Sequence, residues 1–221
     1  MKKEKLVKII VTALFCAVAF LMIFVFRFKV SFLTFDFKDA IISIVSLLYG
    51  PIYGITCAVT VALLEFLSVS DTGVYGLIMN SLSSGVFALT VGGVYRLKRS
   101  FNGAIMAAIS SVISVTIVMI VANIFITPFY MGVSRSEVIA IIPALLLPFN
   151  ICKTVINASA LMIIYKPITN ALRKTKLVFI EAPSQYRFTK RSVALLIVSI
   201  VLLTAASVFI ILVLGGSFSF L

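Results

Sequence analysis

The sequence predicts an all-α, polytopic membrane protein, with a six-helix core and one extra C-terminal transmembrane helix. Three observations carry this. Of 221 residues, 62% are hydrophobic and 12% charged, and the mean hydropathy is +1.23, far above the roughly half-apolar usage of soluble domains. A bilayer core of about 30 Å needs roughly 20 apolar residues per helix, and such stretches recur along the chain. The basic residues fall almost wholly on alternate connections between those stretches, as the positive-inside rule requires.

The elements follow in order. Leu6 to Phe26 is the first apolar run, preceded by "MKKEK". It contains Ala17-Val18-Ala19, a small-residue pattern like a signal-peptide cleavage site, but the run continues for seven residues beyond it, which favours an uncleaved helix. Ala40 to Leu67 is too long for one ordinary span and is broken at "YGPIYG", where Gly50, Pro51 and Gly54 mark a turn. It reads as two helices, the first short. Val74 to Val94, Ala104 to Tyr130, Val138 to Tyr165 and Val193 to Leu214 complete seven spans. Residues 1–174 form the core, with short connections. Residues 175–191 form a polar cytoplasmic linker, and residues 192–221 carry the additional helix. Val193 to Leu214 holds no acid, base or amide, so it reads as an anchor or a partner-facing helix. No internal repeat is visible, which speaks against the inverted-repeat transporters.

Charge orients the chain. With the N-terminus cytoplasmic, fourteen Lys and Arg lie on inside segments and four, Arg27, Lys29, Lys38 and Arg135, on outside ones. Lys153 is left alone within the membrane. The net charge of +12 is then mostly topology and attraction to anionic lipid. Nucleic acid is a poor partner, because the basic residues are dispersed over separate ends without an aromatic platform.

Several chemistries are missing from the sequence. There is no histidine, the commonest general base and metal ligand. No GxxxxGK[ST] loop occurs, so the chain does not itself bind ATP in the Walker manner. Cys16, Cys57 and Cys152 lie in apolar runs without CxxC spacing and read as small packing residues. Asp36 and Asp39 are paired acids that could act on lipid headgroups, but no nucleophile, base and orienting residue form a recognisable constellation, so no enzyme is expected.

Polar residues on the outer half of the first six spans are the informative ones: Asp36, Lys38, Asp39, Glu65, Asp71, Asn80, Asn123, Asn150 and Lys153. Asp39 and Asp71 could cap the helices that follow them, and Asn80 or Asn123 could bond a neighbouring helix. Asn150 and Lys153, in "LPFNICK", are three apart and share a helix face. Burying either without a partner is costly. Pro143 and Pro148 weaken the helical ladder beside that face and free backbone carbonyls. A small polar ligand with several hydroxyls and carbonyls on an otherwise apolar or aromatic body would satisfy these groups. On the first helix "ALFCA" spaces Ala13 and Ala17 as small-xxx-small, a pattern for close helix approach, either within the chain or to a partner.

These residues carry a resemblance. "LTFDFKD" followed by "YGPIYG", then "TGVYGLIMNSLSSGVFALTVGGVYRLKRS", "ANIFITPFYMGVS" and "IIPALLLPFNICKTVINASALMIIYKPI" resemble, in order and spacing over about residues 8–174, the S component of an energy-coupling-factor (ECF) vitamin transporter of the riboflavin-binding kind. The resemblance implies a six-helix S-component core that captures riboflavin from outside. It also implies partners, a shared transmembrane T component and two cytoplasmic ATPase subunits that power import. No cofactor of its own is expected, riboflavin being the transported ligand and ATP being used by the partners. The resemblance implies that Phe35, Asp36 and Phe37 contact the flavin, with Asn80, Asn123, Asn150 and Lys153 as polar contacts to the ring edge and ribityl chain. Asp39 and Glu65 stand as further candidates. Ala13 and Ala17 would dock on the T component.

Two departures from the family pattern stand out. The pattern often has a lysine and an amide on the third helix after "GP..G", whereas here the stretch reads "VTVALLEFLS", with Val61 and Ala62 and then Glu65. This keeps another vitamin or a flavin analogue open as the ligand. Glu65 could pair with Lys153, serve an altered ligand, or reach the outer interface. The seventh helix is the other departure.

Overall fold

The computed structural model describes residues 2–174, 190–215 and 217–218. In chain order it contains α1 (Lys2–Val25), β1 (Phe28–Val30), β2 (Leu33–Phe35), α2 (Lys38–Tyr49), α3 (Pro51–Ser68), α4 (Gly73–Leu97), α5 (Phe101–Met131), α6 (Arg135–Ala140), a π-helical turn (Ile142–Leu146), α7 (Leu147–Lys174), α8 (Lys190–Leu212) and β3 (Ser217–Phe218). Among the described residues, six helices are long and apolar enough to cross a membrane.

The remaining apolar run is α2, whose 12 residues rise only about 18 Å. It is the short helix expected before "YGPIYG". Shorter than an ordinary span, it runs from the hairpin to Gly50 beside Arg96, wrapped by α1, α3, α4 and α7, and residues from Ile42 to Leu48 are buried throughout. The turn forms as the sequence requires. Gly50 takes a φ of 101°, donates its N–H to Ser46 O at 2.9 Å, and hands the chain to Pro51 at the start of α3, where proline's missing N–H costs nothing.

The core runs through Val11, Phe15 and Ala19 of α1, Cys57, Ala58 and Val61 of α3, and Phe87, Ala88 and Val91 of α4, all buried around α2. The opposite faces are apolar and open. On α5 the residues Ile109, Ile113, Ile117, Val121 and Phe125, spaced every fourth position, are each about half exposed or more, the stripe that a helix presents to lipid. The thiols of Cys16 and Cys57 lie 3.0 Å apart between α1 and α3 as free cysteines, in keeping with a packing role.

The single stretch Val138 to Tyr165 is divided. Pro143 and Pro148 cannot donate to the helical ladder, and the backbone answers with α6, a π-helical turn in which Leu146 N bonds Ile141 O at 3.2 Å, and then α7. Irregular backbone of this kind at membrane depth is tolerated where it borders a protein cavity.

Two features go beyond the sequence expectation. The connection between α1 and α2 folds into a β-hairpin, extended by β3 into a three-stranded antiparallel sheet of order β2-β1-β3. And α8, expected to be an anchor or partner-facing helix apart from the site, packs along α7. Ile210 on α8 is buried against Val30 and Phe35 of the hairpin and Phe149 and Ile156 of α7. The run Val193 to Leu214, without acid, base or amide, gives no hint of this. Residues 175–189 of the predicted linker lie outside the described residues, and Lys190 and Arg191 belong to α8.

Candidate functional site

A cavity of about 240 Å³ lies at the hairpin end of the bundle. Its roof is the turn of the hairpin, Ser31 to Thr34, together with the α3–α4 connection at Ser70 to Thr72. Its walls come from α4 (Tyr75, Met79, Asn80, Ser83), α5 (Met119, Asn123, Ile126, Thr127, Tyr130) and α7 (Phe149, Asn150, Lys153), with Glu65 contributed by α3. The site is therefore built where four helices meet two connections, with α3 and α4 running directly into the roof and α5 and α7 brought in from farther along the chain.

The amides are set by their own helices. Asn123 Nδ2 donates to Met119 O at 2.7 Å, and Thr127 donates to Asn123 Oδ1 at 2.8 Å. Asn150 Nδ2 donates to Leu146 O, at the end of the π-helical turn, at 2.7 Å. Each such bond fixes a side-chain orientation. An Asn side chain has two donor hydrogens and one acceptor oxygen, so each amide keeps hydrogen-bonding capacity for a ligand.

Behind the wall is a chain of alternating charge. Lys153 Nζ donates to Thr34 O at 3.1 Å and to Asp36 Oδ2 at 3.4 Å. Asp36 in turn accepts from Lys38 Nζ at 2.9 Å, and Lys38 reaches Glu65 Oε2 at 2.9 Å. All four side chains are under a tenth exposed. Two cations and two anions alternate, which is how buried charge is made tolerable. Lys153 and Glu65 face the cavity at the two ends of the chain. Asp36 and Lys38 are its inner links and do not line the cavity.

This places the predicted residues in two layers. Asn80, Asn123, Asn150, Lys153 and Glu65 line the cavity together. Phe35, Asp36, Phe37 and Asp39 do not. Phe35 is buried beneath the hairpin beside Val30, and Phe37 packs edge-on to it at 5.3 Å and to Phe26 at 5.4 Å. Asp36 Oδ1 accepts from the backbone N–H of Lys38 at 3.1 Å, so Asp36, and not Asp39, tethers the start of α2. Asp39 accepts from Ser84 of α4 instead. Glu65 pairs with Lys38 and not with Lys153, because Asp36 already stands between the two lysines.

Several residues that shape the site carried no signal of their own. Asn157 is fully buried and ties the layers together: Nδ2 donates to Asp36 O at 2.9 Å and to Lys153 O at 3.1 Å, while Oδ1 accepts from Ala40 N at 3.0 Å. Its position one helical turn past Lys153 was the available hint. The aromatic lining is Phe32, Tyr75, Tyr130 and Phe149, with the Tyr130 ring 6.4 Å from both Phe32 and Tyr75. Lys29 bonds Asp71 across the roof, and Arg27, buried, donates to Val69 O at 3.1 Å. The Lys29 hydrogen bond, helped by the charges of Lys29 and Arg27, holds the Asp71 carboxyl below the usual carboxylate range.

Ala13 and Ala17 sit far from this chemistry. Both are exposed on α1, on the same face as Ile10, Leu14 and Leu21.

A membrane bundle with a roofed, polar-walled and aromatic-lined cavity at one end fits capture of a small molecule. The sequence model of the family described as "ECF transporter, substrate-specific component" matches residues 7–165. The chain belongs to that family. This S component is 30% identical over 178 residues to the riboflavin transporter RibU of Staphylococcus aureus, an alignment covering 76% of the chain and 93% of RibU. It is also similar to a solved structure described as the S component of a bacterial ECF transporter, with a TM-score of 0.65 and 29% identity over 75% of this chain and 97% of the other. The S component is thus a multi-pass membrane protein that serves as the substrate-binding part of an ECF transporter and works with an ECF module. Residues 166 onward, α8 included, lie past the end of the family match.

Proposed function

We propose that this S component captures riboflavin in the roofed cavity and delivers it to an ECF module for import. The observation that carries the reading is the cavity wall, where Asn80, Asn123, Asn150 and Lys153 converge beside Phe32, Tyr75, Tyr130 and Phe149, in a chain 30% identical to a protein named a riboflavin transporter. An isoalloxazine ring offers an aromatic face and a rim of carbonyl oxygens and ring nitrogens. Its ribityl chain needs several donors and acceptors. Amides and an ammonium answer the rim, and aromatic side chains answer the face.

In this reading the N-terminus is cytoplasmic, because fourteen basic residues then lie inside and four outside, and the cavity opens outward. Residues 1–174 are the binding core, and residues 192–221 an added helix. A T component and two ATPase subunits supply the energy, so the S component needs no cofactor. The exposed Ala13 and Ala17 offer the T component a flat helix face. Asp36 and Asp39 act from behind the wall.

Purified protein from riboflavin-fed cells is expected to be yellow, with quenched flavin fluorescence, and labelled riboflavin uptake to require the module. Colourless protein that takes up another vitamin overturns the substrate. Glu65 favours that second reading, since it puts a carboxylate on the cavity wall from the third helix, where the family pattern often has a lysine and an amide.

A further inference from the structure

α8 lies outside the residues matched to the family, yet it ends on the roof of the cavity. Val213 N closes the last helical turn onto Phe209 O at 2.9 Å. Gly215 then takes a φ of 64°, a left-handed conformation that glycine reaches without strain. The chain continues as β3, antiparallel to β1, with Ser217 opposite Lys29 and Phe218 opposite Phe28. Below the sheet, Ile210, 2% exposed, packs with Leu203, Ala206 and Leu214 against Val30, Phe35 and Phe149. The hairpin is thus tied to α8 twice, through backbone pairing and through apolar contact.

The hairpin needs such ties. Its strands are three residues each, and an isolated two-stranded hairpin is marginal in water. Its turn holds Ser31 at a φ of 54°, where a side chain is disfavoured. On one side Lys29 reaches across to Asp71. On the other, β3 covers the edge that β1 would otherwise leave unpaired. Because Ser31, Phe32, Leu33 and Thr34 all line the cavity, any ligand that enters or leaves beneath them requires this hairpin to move.

We propose that α8 and β3 form a strap on the roof, which sets how fast ligand enters and leaves the cavity without touching the ligand. The proposal rests on the reading of the cavity as the vitamin pocket. Ile210, Gly215 and Ser217 are positioning residues in it: Ile210 packs beneath the sheet, Gly215 turns the chain, and Ser217 pairs with Lys29. Opening the roof must either part β1 from β3 or carry the end of α8 along α7.

The test uses the full chain with Gly215→Pro and Ser217→Pro, since proline reaches neither a positive φ nor a paired strand N–H, and with a Phe28→Cys/Phe218→Cys pair. Directly opposed strand positions suit a disulfide. Backbone amides 28–35 are followed by hydrogen exchange without ligand, with α4 amides as the folding control. Both proline variants should speed exchange of the hairpin about fivefold and leave α4 unchanged. Equal hairpin exchange in wild type and variants overturns the strap, whatever the ligand. Riboflavin release, followed by recovery of flavin fluorescence, should speed about threefold or more in the proline variants. It should slow about tenfold in the oxidised cysteine pair and recover with reductant. A hairpin that exchanges faster with unchanged release, or a cysteine pair that stays unlinked, also overturns the proposal. Absence of riboflavin binding to the wild type overturns the substrate reading instead, and the exchange result still decides the strap.

Discussion

Lys153 on α7 and Asp36 at the foot of the hairpin meet at 3.4 Å, the same Asp36 oxygen lying 2.9 Å from Lys38. Asp36 therefore has a nearer partner than the lysine that faces the cavity. This unequal sharing separates binding from folding: Lys153 can lose its side chain while Asp36 stays paired to Lys38, whereas removing Lys38 strands Glu65 and leaves Asp36 only its longer contact to Lys153.

Lys153→Ala is expected to weaken riboflavin binding about tenfold to a hundredfold, because a hydrogen bond to a charged group is worth roughly 1.5–3 kcal/mol. Flavin-fluorescence titration of the folded variant measures it. Unchanged affinity would move Lys153 out of the site.

Lys38→Met leaves Asp36 and Glu65 sharing too little positive charge and is expected to cost about 3–5 kcal/mol of stability. Adding Glu65→Leu removes one stranded carboxylate and should recover part of the loss. Thermal unfolding in detergent reads both, and equal melting of the single and double variants would show that the charges are not coupled.

Tyr130→Ala removes the ring shared by Phe32 and Tyr75 at the cavity mouth and should weaken flavin binding about threefold to tenfold, from an aromatic contact of roughly 0.5–1.5 kcal/mol. Phe37→Ala acts behind the wall, so its main effect should be on hairpin stability. If Phe37→Ala costs more affinity than Tyr130→Ala with the hairpin intact, the flavin lies on the Phe35–Phe37 side.

The Asp71 clasp predicts a pH dependence. A carboxyl whose pKa is lowered on folding stabilises the roof above the ordinary carboxylate value, and that contribution is lost as pH falls through the lowered one. Hairpin amides should therefore exchange faster, relative to the intrinsic rate, at acid pH, and Asp71→Asn should reproduce the effect at neutral pH. A roof equally protected in Asp71→Asn would show the clasp to be idle.

Ala13→Trp should leave riboflavin binding by the isolated protein intact, since Ala13 is exposed and remote from the cavity. Uptake and co-purification with the module should fall together, as the bulky ring holds the helices apart. Lost riboflavin binding with intact assembly would place "ALFCA" inside this protein's own packing.

Hydropathy and charge alone determined the bundle, because a bilayer admits few solutions for a chain of repeated apolar runs. The break at "YGPIYG", the kinked entry to α7 at its two prolines and the shared face of Asn150 and Lys153 were all local, set by backbone chemistry and helical period. The tertiary structure alone decided which charges pair. Asp36 and Lys38 share one stretch, but Glu65 and Lys153 come from two distant helices, and their order depends on how α2 nests among its neighbours. It also decided which aromatics meet the cavity. Phe32, in the hairpin turn, lines the cavity, while Phe35, three residues on at the end of β2, is packed beneath the sheet, a difference set by where the turn falls and by the packing below it. The path of α8 was the least legible, since an apolar helix is written the same way whether it faces lipid or another helix, and the pairing of β3 with β1 joins residues at opposite ends of the chain.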